Sequence, residues 1–203
     1  PPADWAEVIR IIAERGVIPF VDIAYQGFGE GLAPDAAGLR GLLTACDEVL
    51  VAQSCDKNFG VYRDRVGSFW FKTGSADATK AATGHVLQIS REYWSMPPDH
   101  GAAAVRIVLD DAEPSADWHA HLERMRERIV TLRQRLAAAD PDLAYIEKQK
   151  GMFSMLPLTP EQVLDLRERH AIYMADSGRF NICGMRDDDV ERFASAVLEV
   201  MNG

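Results

Sequence analysis

Two short apolar runs with one amphipathic segment between them set the architecture open to this chain. Val17-Ile18-Pro19-Phe20-Val21 is too short for a helix and continuous enough for a strand buried on both faces. Residues 36–46 then place apolar side chains at helical spacing, and residues 48–53 form a second apolar, β-branched run. Strand, helix, strand is a crossover unit, which lays parallel strands side by side in right-handed connection and sets functional loops at their carboxyl ends. Asp22 and Ser54 both stand at such ends.

Beyond this unit the periodicity predicts a third strand over 66–71 and helical segments over 77–94 and 100–109. A linker is expected near 110–115, and the charged, helically spaced stretch 116–139 reads as a long surface helix with one apolar stripe. Strands follow at Ala144-Tyr145-Ile146, 152–156 and 171–174, with helices over 159–169 and 187–201. Thr159 ahead of Pro160 and Glu161 is a capped helix start. The order predicts an α/β chain: part of a mainly parallel-sheet domain over residues 1–111, then a smaller α+β domain over 112–203.

Charge and composition narrow the function. A formal net charge of −9 and a pI near 5.0 supply no broad basic field, which argues against nucleic acid as a partner. A small anionic substrate would be met by individually placed arginines. No run approaches the roughly 20 apolar residues of a membrane helix, and Pro1-Pro2-Ala3-Asp4-Trp5 lacks the regions of a signal peptide, so the cytoplasm is the expected location. Cys46, Cys55 and Cys183 have no Cys-x-x-Cys spacing, so neither a disulfide framework nor a metal site is expected. The chain opens without methionine, directly in the amphipathic segment from Trp5 to Arg15, and reads as one entered midway.

The strongest local signal is Ser54-Cys55-Asp56-Lys57-Asn58-Phe59-Gly60-Val61-Tyr62-Arg63-Asp64-Arg65-Val66-Gly67, a loop leaving a buried strand. It sets a hydroxyl, a lysine and an arginine in one turn-rich segment. Val21-Asp22-Ile23-Ala24-Tyr25-Gln26-Gly27-Phe28 adds a carboxylate and a phenol at the end of the neighbouring strand. Together these stretches resemble the class I aspartate and aromatic amino-acid aminotransferases, whose patterns are close to D-x-A-Y-Q-G-F and S-x-S-K-N-F-G-x-Y-x-x-R-V-G. Trp94-Ser95-Met96-Pro97-Pro98, Gly151-Met152-Phe153-Ser154 and Ser177-Gly178-Arg179-Phe180-Asn181 resemble the same family in the same order. The resemblance covers essentially the whole chain.

What the resemblance implies is specific. The cofactor is pyridoxal 5'-phosphate, an electron sink that needs its aldehyde held, its pyridine nitrogen kept protonated and its phosphate anchored. Lys57 would form the Schiff base and then move the proton between Cα and the cofactor carbon. Asp22 would pair with the pyridinium nitrogen and Tyr25 with the ring oxygen. Ser54 and Arg65 match the phosphate anchors, a hydroxyl donor and a charge-assisted fork. Arg179 matches the arginine that grips the substrate α-carboxylate. Arg91, four residues before Ser95, matches the one that reaches into the neighbouring subunit's site for a side-chain carboxylate, and Phe153, Tyr62 and Ser95 match positions near the site.

Residues 1–111 then correspond to the C-terminal part of the large cofactor domain and 112–203 to the small domain. The implied activity is transamination between an L-amino acid, acidic or aromatic, and a 2-oxo acid, by a homodimer with shared sites. Two departures stand out. Asp56 replaces the serine or threonine that donates toward the phosphate, so it points away, or is protonated, or weakens cofactor binding. The N-terminal half of the large domain, with its share of the site, is not represented. A lyase or synthase of the same cofactor superfamily stays open, as does a folded but inactive remnant or binding module.

Overall fold

Parallel pairing joins the two apolar runs. β1, Phe20–Ile23, lies beside β2, Val49–Ser54, with Phe20 opposite Leu50 and Asp22 opposite Ala52. The helix between them, α3 (Ala37–Ala45), follows a single short turn of helix, α2 (Leu32–Asp35), and α1 (Pro2–Arg15) packs on α3. Leu42, Cys46, Val49 and Val51 form the buried centre, and Ile9, Ile12, Val21, Ile23 and Leu39 close over it. Fully burying each such aliphatic side chain contributes about 1.5–3 kcal/mol.

A computed structural model describes residues 2–203, with side chains from Asp4 onward. The chain divides into two units, Pro1–Leu122 and Glu123–Gly203, with the division inside one long helix. In the first unit the third strand, β3 (Gly67–Lys72), pairs antiparallel with β2, Ser54 opposite Gly67. The three-stranded sheet is thus mixed, one parallel pair and one antiparallel pair. The cause is the connection: residues 55–66 contain no crossover helix, and strands joined without one return antiparallel. α4 (Ala76–Trp94), capped by Ser75, and α5 (His100–Asp110) follow. α6, Ala112–Ala139, begins one residue after α5, so the expected linker at 110–115 is mostly helix.

The second unit is α+β. A 3₁₀ helix, Pro141–Lys148, stands where Ala144-Tyr145-Ile146 was read as a strand. Asp140 decides this locally: its side chain accepts the Asp142 N–H and Pro141 opens the first turn. α7, Pro160–His170, begins at the expected cap, with Thr159 and Gln162 bonded reciprocally as a capping box. β4 (Phe153–Met155) pairs antiparallel with β5 (Arg179–Asn181). Residues 171–174, expected as a strand, instead close α7: Ala171 is left-handed and the Ile172 N–H returns to the Leu166 carbonyl. α8, Val190–Asn202, packs on α7 and buries Val190, Phe193, Ala194, Val197 and Val200 at helical spacing. Among the described residues no helix is long and apolar enough to cross a membrane.

Candidate active site

The loop leaving β2 is closed at its base, where the Cys55 N–H donates 2.9 Å to the Val66 carbonyl. Inside it the Ser54 hydroxyl oxygen accepts from the Asp56 N–H at 3.1 Å, and Phe59 and Gly60 donate back to the carbonyls of Cys55 and Lys57. This winding presents Lys57, half-buried, with its Nζ 4.5 Å from the centroid of the Tyr25 ring.

Tyr25 is carried there by the turn after β1. Gln26 ties that turn to the lysine loop: its side-chain oxygen accepts from Gln53 at 2.7 Å and its backbone oxygen from Asn58 at 3.4 Å. Its side-chain nitrogen donates 2.8 Å to the Leu32 carbonyl. The Asp35 carboxylate collects the N–H groups of Gly27, Gly29 and Glu30 at 2.8–3.0 Å. Gly27 has φ +97° and its Cα lies so close to Leu122 that a Cβ would stand 2.5 Å from Cδ2, which explains glycine there. On the far side Trp118 stacks on Phe59, centroids 4.4 Å apart, and donates 2.7 Å to the Asn58 carbonyl. Two stretches far apart in sequence are therefore held as one surface.

Asp56 is turned into the loop, toward Val66 and Arg65. Its carboxylate is buried, accepts the Val66 N–H at 3.1 Å through Oδ1 and pairs through Oδ2 with Nη1 of Arg65. The same Nη1 also donates 2.9 Å to the Tyr62 carbonyl, and Arg65 adopts a left-handed backbone with φ +54°. Burial, and after it the charge of Asp56, raises the pKa of the Cys55 thiol. Asp22 is exposed in β1, on the strand whose end carries Tyr25. Arg91 is exposed in the last turn of α4, and Ser95 ends that helix, donating its N–H 2.9 Å to the Arg91 carbonyl. The structure brings together Lys57, Tyr25, Ser54 and Arg65, the last two through Asp56. It brings Arg91 into contact with none of them.

In the second unit Arg179 and Phe153 meet, the guanidinium carbon 3.9 Å from the ring centroid. Strand pairing sets this contact, since Met155 is opposite Arg179 and Phe153 opposite Asn181. Behind Phe153 lies a buried arginine, Arg133 of α6, that donates to the carbonyls of Ile146, Gly151 and Phe153 and to the Ser154 hydroxyl. Desolvation lowers the Arg133 pKa. Among the described residues no group of three or more His, Cys, Asp or Glu is placed to hold a metal ion.

The family profile described as aminotransferase class I and II matches residues 1–197. The chain belongs to that family. The tyrosine aminotransferase of Rhizobium meliloti strain 1021 is 46% identical over 196 residues, 95% of this chain and 50% of the relative. The aspartate aminotransferase of Haemophilus influenzae strain Rd is 38% identical over 206 residues, 98% of this chain and 52% of the relative. A solved aromatic-amino-acid aminotransferase from Burkholderia pseudomallei, described as covalently bound to pyridoxal phosphate, superposes with a TM-score of 0.92 at 37% identity, covering 98% of this chain and 52% of that one. The chain spans about half the length of the relatives it matches.

In this aminotransferase chain several supporting residues escaped the sequence reading. Gln26 lay inside a quoted motif without a role. Asp35, followed by an apolar helix and preceded by three glycines, carried the signal of a loop cap. Arg133 sits among Ile129, Leu132 and Leu136 on α6, all buried, and an arginine inside an apolar helical stripe is the signal that could have found it.

Proposed function

We propose that this aminotransferase exchanges an amino group between an L-amino acid and a 2-oxo acid through a pyridoxal phosphate held by Lys57. The observation that supports this reading is the placement of the Lys57 amine over the Tyr25 ring, at the paired carboxyl ends of two parallel strands. The residues present fit the group: an amine for its aldehyde, a phenol for its ring oxygen, a carboxylate for its pyridine nitrogen, and a hydroxyl and a guanidinium for its phosphate. Asp56 is an acceptor beside the two groups for the phosphate, a hydroxyl and a guanidinium that would both act as donors.

When bound, pyridoxal phosphate supplies a protonated ring that takes up the electrons released as an amino acid loses its Cα proton. Lys57 would be the residue that holds the group, and its Nζ would serve as the base that takes the substrate Cα proton and as the acid that gives it back. Asp22 keeps the ring nitrogen protonated as a carboxylate beside a cation. Tyr25 donates its O–H to the ring oxygen, while its ring face steadies the Lys57 ammonium. The Ser54 hydroxyl, whose oxygen accepts from Asp56, keeps its own hydrogen for the phosphate. Arg179 holds the substrate α-carboxylate in a two-pronged grip, its plane supported on Phe153.

Arg91 selects a side-chain carboxylate in the site of a second subunit of a homodimer. Residues 1–111 act as cofactor domain and 112–203 as small domain. The relatives named for tyrosine and for aspartate keep both substrate classes open. The test is a coupled transamination assay on the purified chain with pyridoxal phosphate, glutamate and a panel of 2-oxo acids. Turnover lost in Lys57→Ala supports the reading. Absence of turnover favours the second reading, a folded chain that is inactive on its own.

A further inference from the structure

Both candidate phosphate anchors touch Asp56. Its N–H donates to the Ser54 hydroxyl oxygen, and its carboxylate holds Nη1 of Arg65. We propose that Asp56 is an internal competitor for Arg65, so that this loop grips a phosphate more weakly than it would with a neutral residue at position 56. The proposal rests on the reading of Arg65 and Ser54 as the phosphate anchors.

Three features of the contact carry it. Both Asp56 oxygens are engaged as acceptors, Oδ1 by the Val66 N–H and Oδ2 by Arg65. A carboxylate in that state has no hydrogen to offer a phosphate oxygen. The side chain is only 7% exposed against 74% for Arg65, so the negative charge is fixed in the loop while the guanidinium stands outward. Swinging Asp56 aside would strip the Val66 N–H of its partner. Arg65 spends Nη1 on Asp56 and on the Tyr62 carbonyl, which leaves its outer edge for a ligand.

Two effects oppose one another. Asp56 holds Arg65 in one place, and ordering one such side chain in advance favours binding by up to about tenfold. Asp56 also offsets the arginine's charge and would set a like charge near any phosphate that Arg65 holds, which at a few ångströms and intermediate dielectric disfavours binding by about a hundredfold. Repulsion wins by about tenfold.

The experiment is titration of the purified chain and its variants with pyridoxal phosphate and, separately, with pyridoxal, followed by absorbance and equilibrium dialysis. Asp56→Asn and Asp56→Ser should each lower the dissociation constant of pyridoxal phosphate by about tenfold and leave that of pyridoxal within about threefold. Weaker binding of pyridoxal phosphate in both variants, or equal shifts for the two ligands, makes Asp56 a mere support for Arg65 and overturns the proposal. Arg65→Met separates the premise from the inference. If it leaves pyridoxal phosphate affinity unchanged, Arg65 is no anchor and the reading of the site falls. If it weakens that affinity while the Asp56 variants fail to tighten it, the reading stands and the proposal falls.

Discussion

The Lys57 amine lies 4.5 Å from the centroid of the Tyr25 ring, an ammonium over an aromatic face that belongs to the neighbouring strand's loop. Ring and hydroxyl can be separated by substitution. Tyr25→Phe keeps the face under the amine and removes the O–H, so kcat should fall by about tenfold or more while lysine attachment to the cofactor survives. Tyr25→Leu removes both and should also disturb attachment. Rates and the absorbance of the bound cofactor distinguish the two; equal behaviour of Phe and Leu would show that the ring face has no part, and an unchanged kcat in Tyr25→Phe that the hydroxyl has none.

Asp22 is exposed in β1, away from Ser54 and Arg65 in sequence, on the strand that pairs with β2. Asp22→Asn should therefore reduce the single-turnover rate by about a hundredfold or more with cofactor occupancy little changed. Equal loss of rate and occupancy would mean that Asp22 serves the fold.

Arg179 and Arg91 should separate by substrate. Arg179→Lys loses the two-pronged grip and the flat contact with Phe153, so kcat/KM should fall for every amino acid by about 10²-fold. Arg91→Leu should cost about as much for aspartate and spare an aromatic substrate. A uniform loss in Arg91→Leu would remove it from specificity.

Arg133 makes a stability prediction. Its buried guanidinium donates to three carbonyls and the Ser154 hydroxyl without a carboxylate partner among these contacts. Arg133→Met strands those acceptors and should destabilise the chain by about 3–5 kcal/mol, read by urea unfolding. A change below about 1 kcal/mol would show that water or rearrangement satisfies them.

The strand–helix–strand unit, α4 to α8 and the capped start at Thr159 were legible because each is written in local periodicity or a short cap. The lysine loop and the Tyr25 turn were legible as family patterns. The sense of β3 was not, because it depends on the path of residues 55–66 and not on the strand's own residues. Ala144-Tyr145-Ile146 carries strand-forming side chains, yet Asp140 and Pro141 start a helical turn ahead of them. Asp56 was visible as a departure, but its grip on Arg65 required the loop to fold back over nine positions of sequence. Arg133 read as one more charge on a surface helix until its burial was known.

The central claim is that Lys57 is the cofactor's point of attachment, and borohydride reduction of the chain loaded with pyridoxal phosphate tests it most directly. Reduction fixes the cofactor to whichever amine holds it, and peptide mapping then names the residue. The account predicts one labelled peptide, carrying the modification on Lys57, and its loss in Lys57→Ala. Label on another lysine, or retained label in Lys57→Ala, would contradict it.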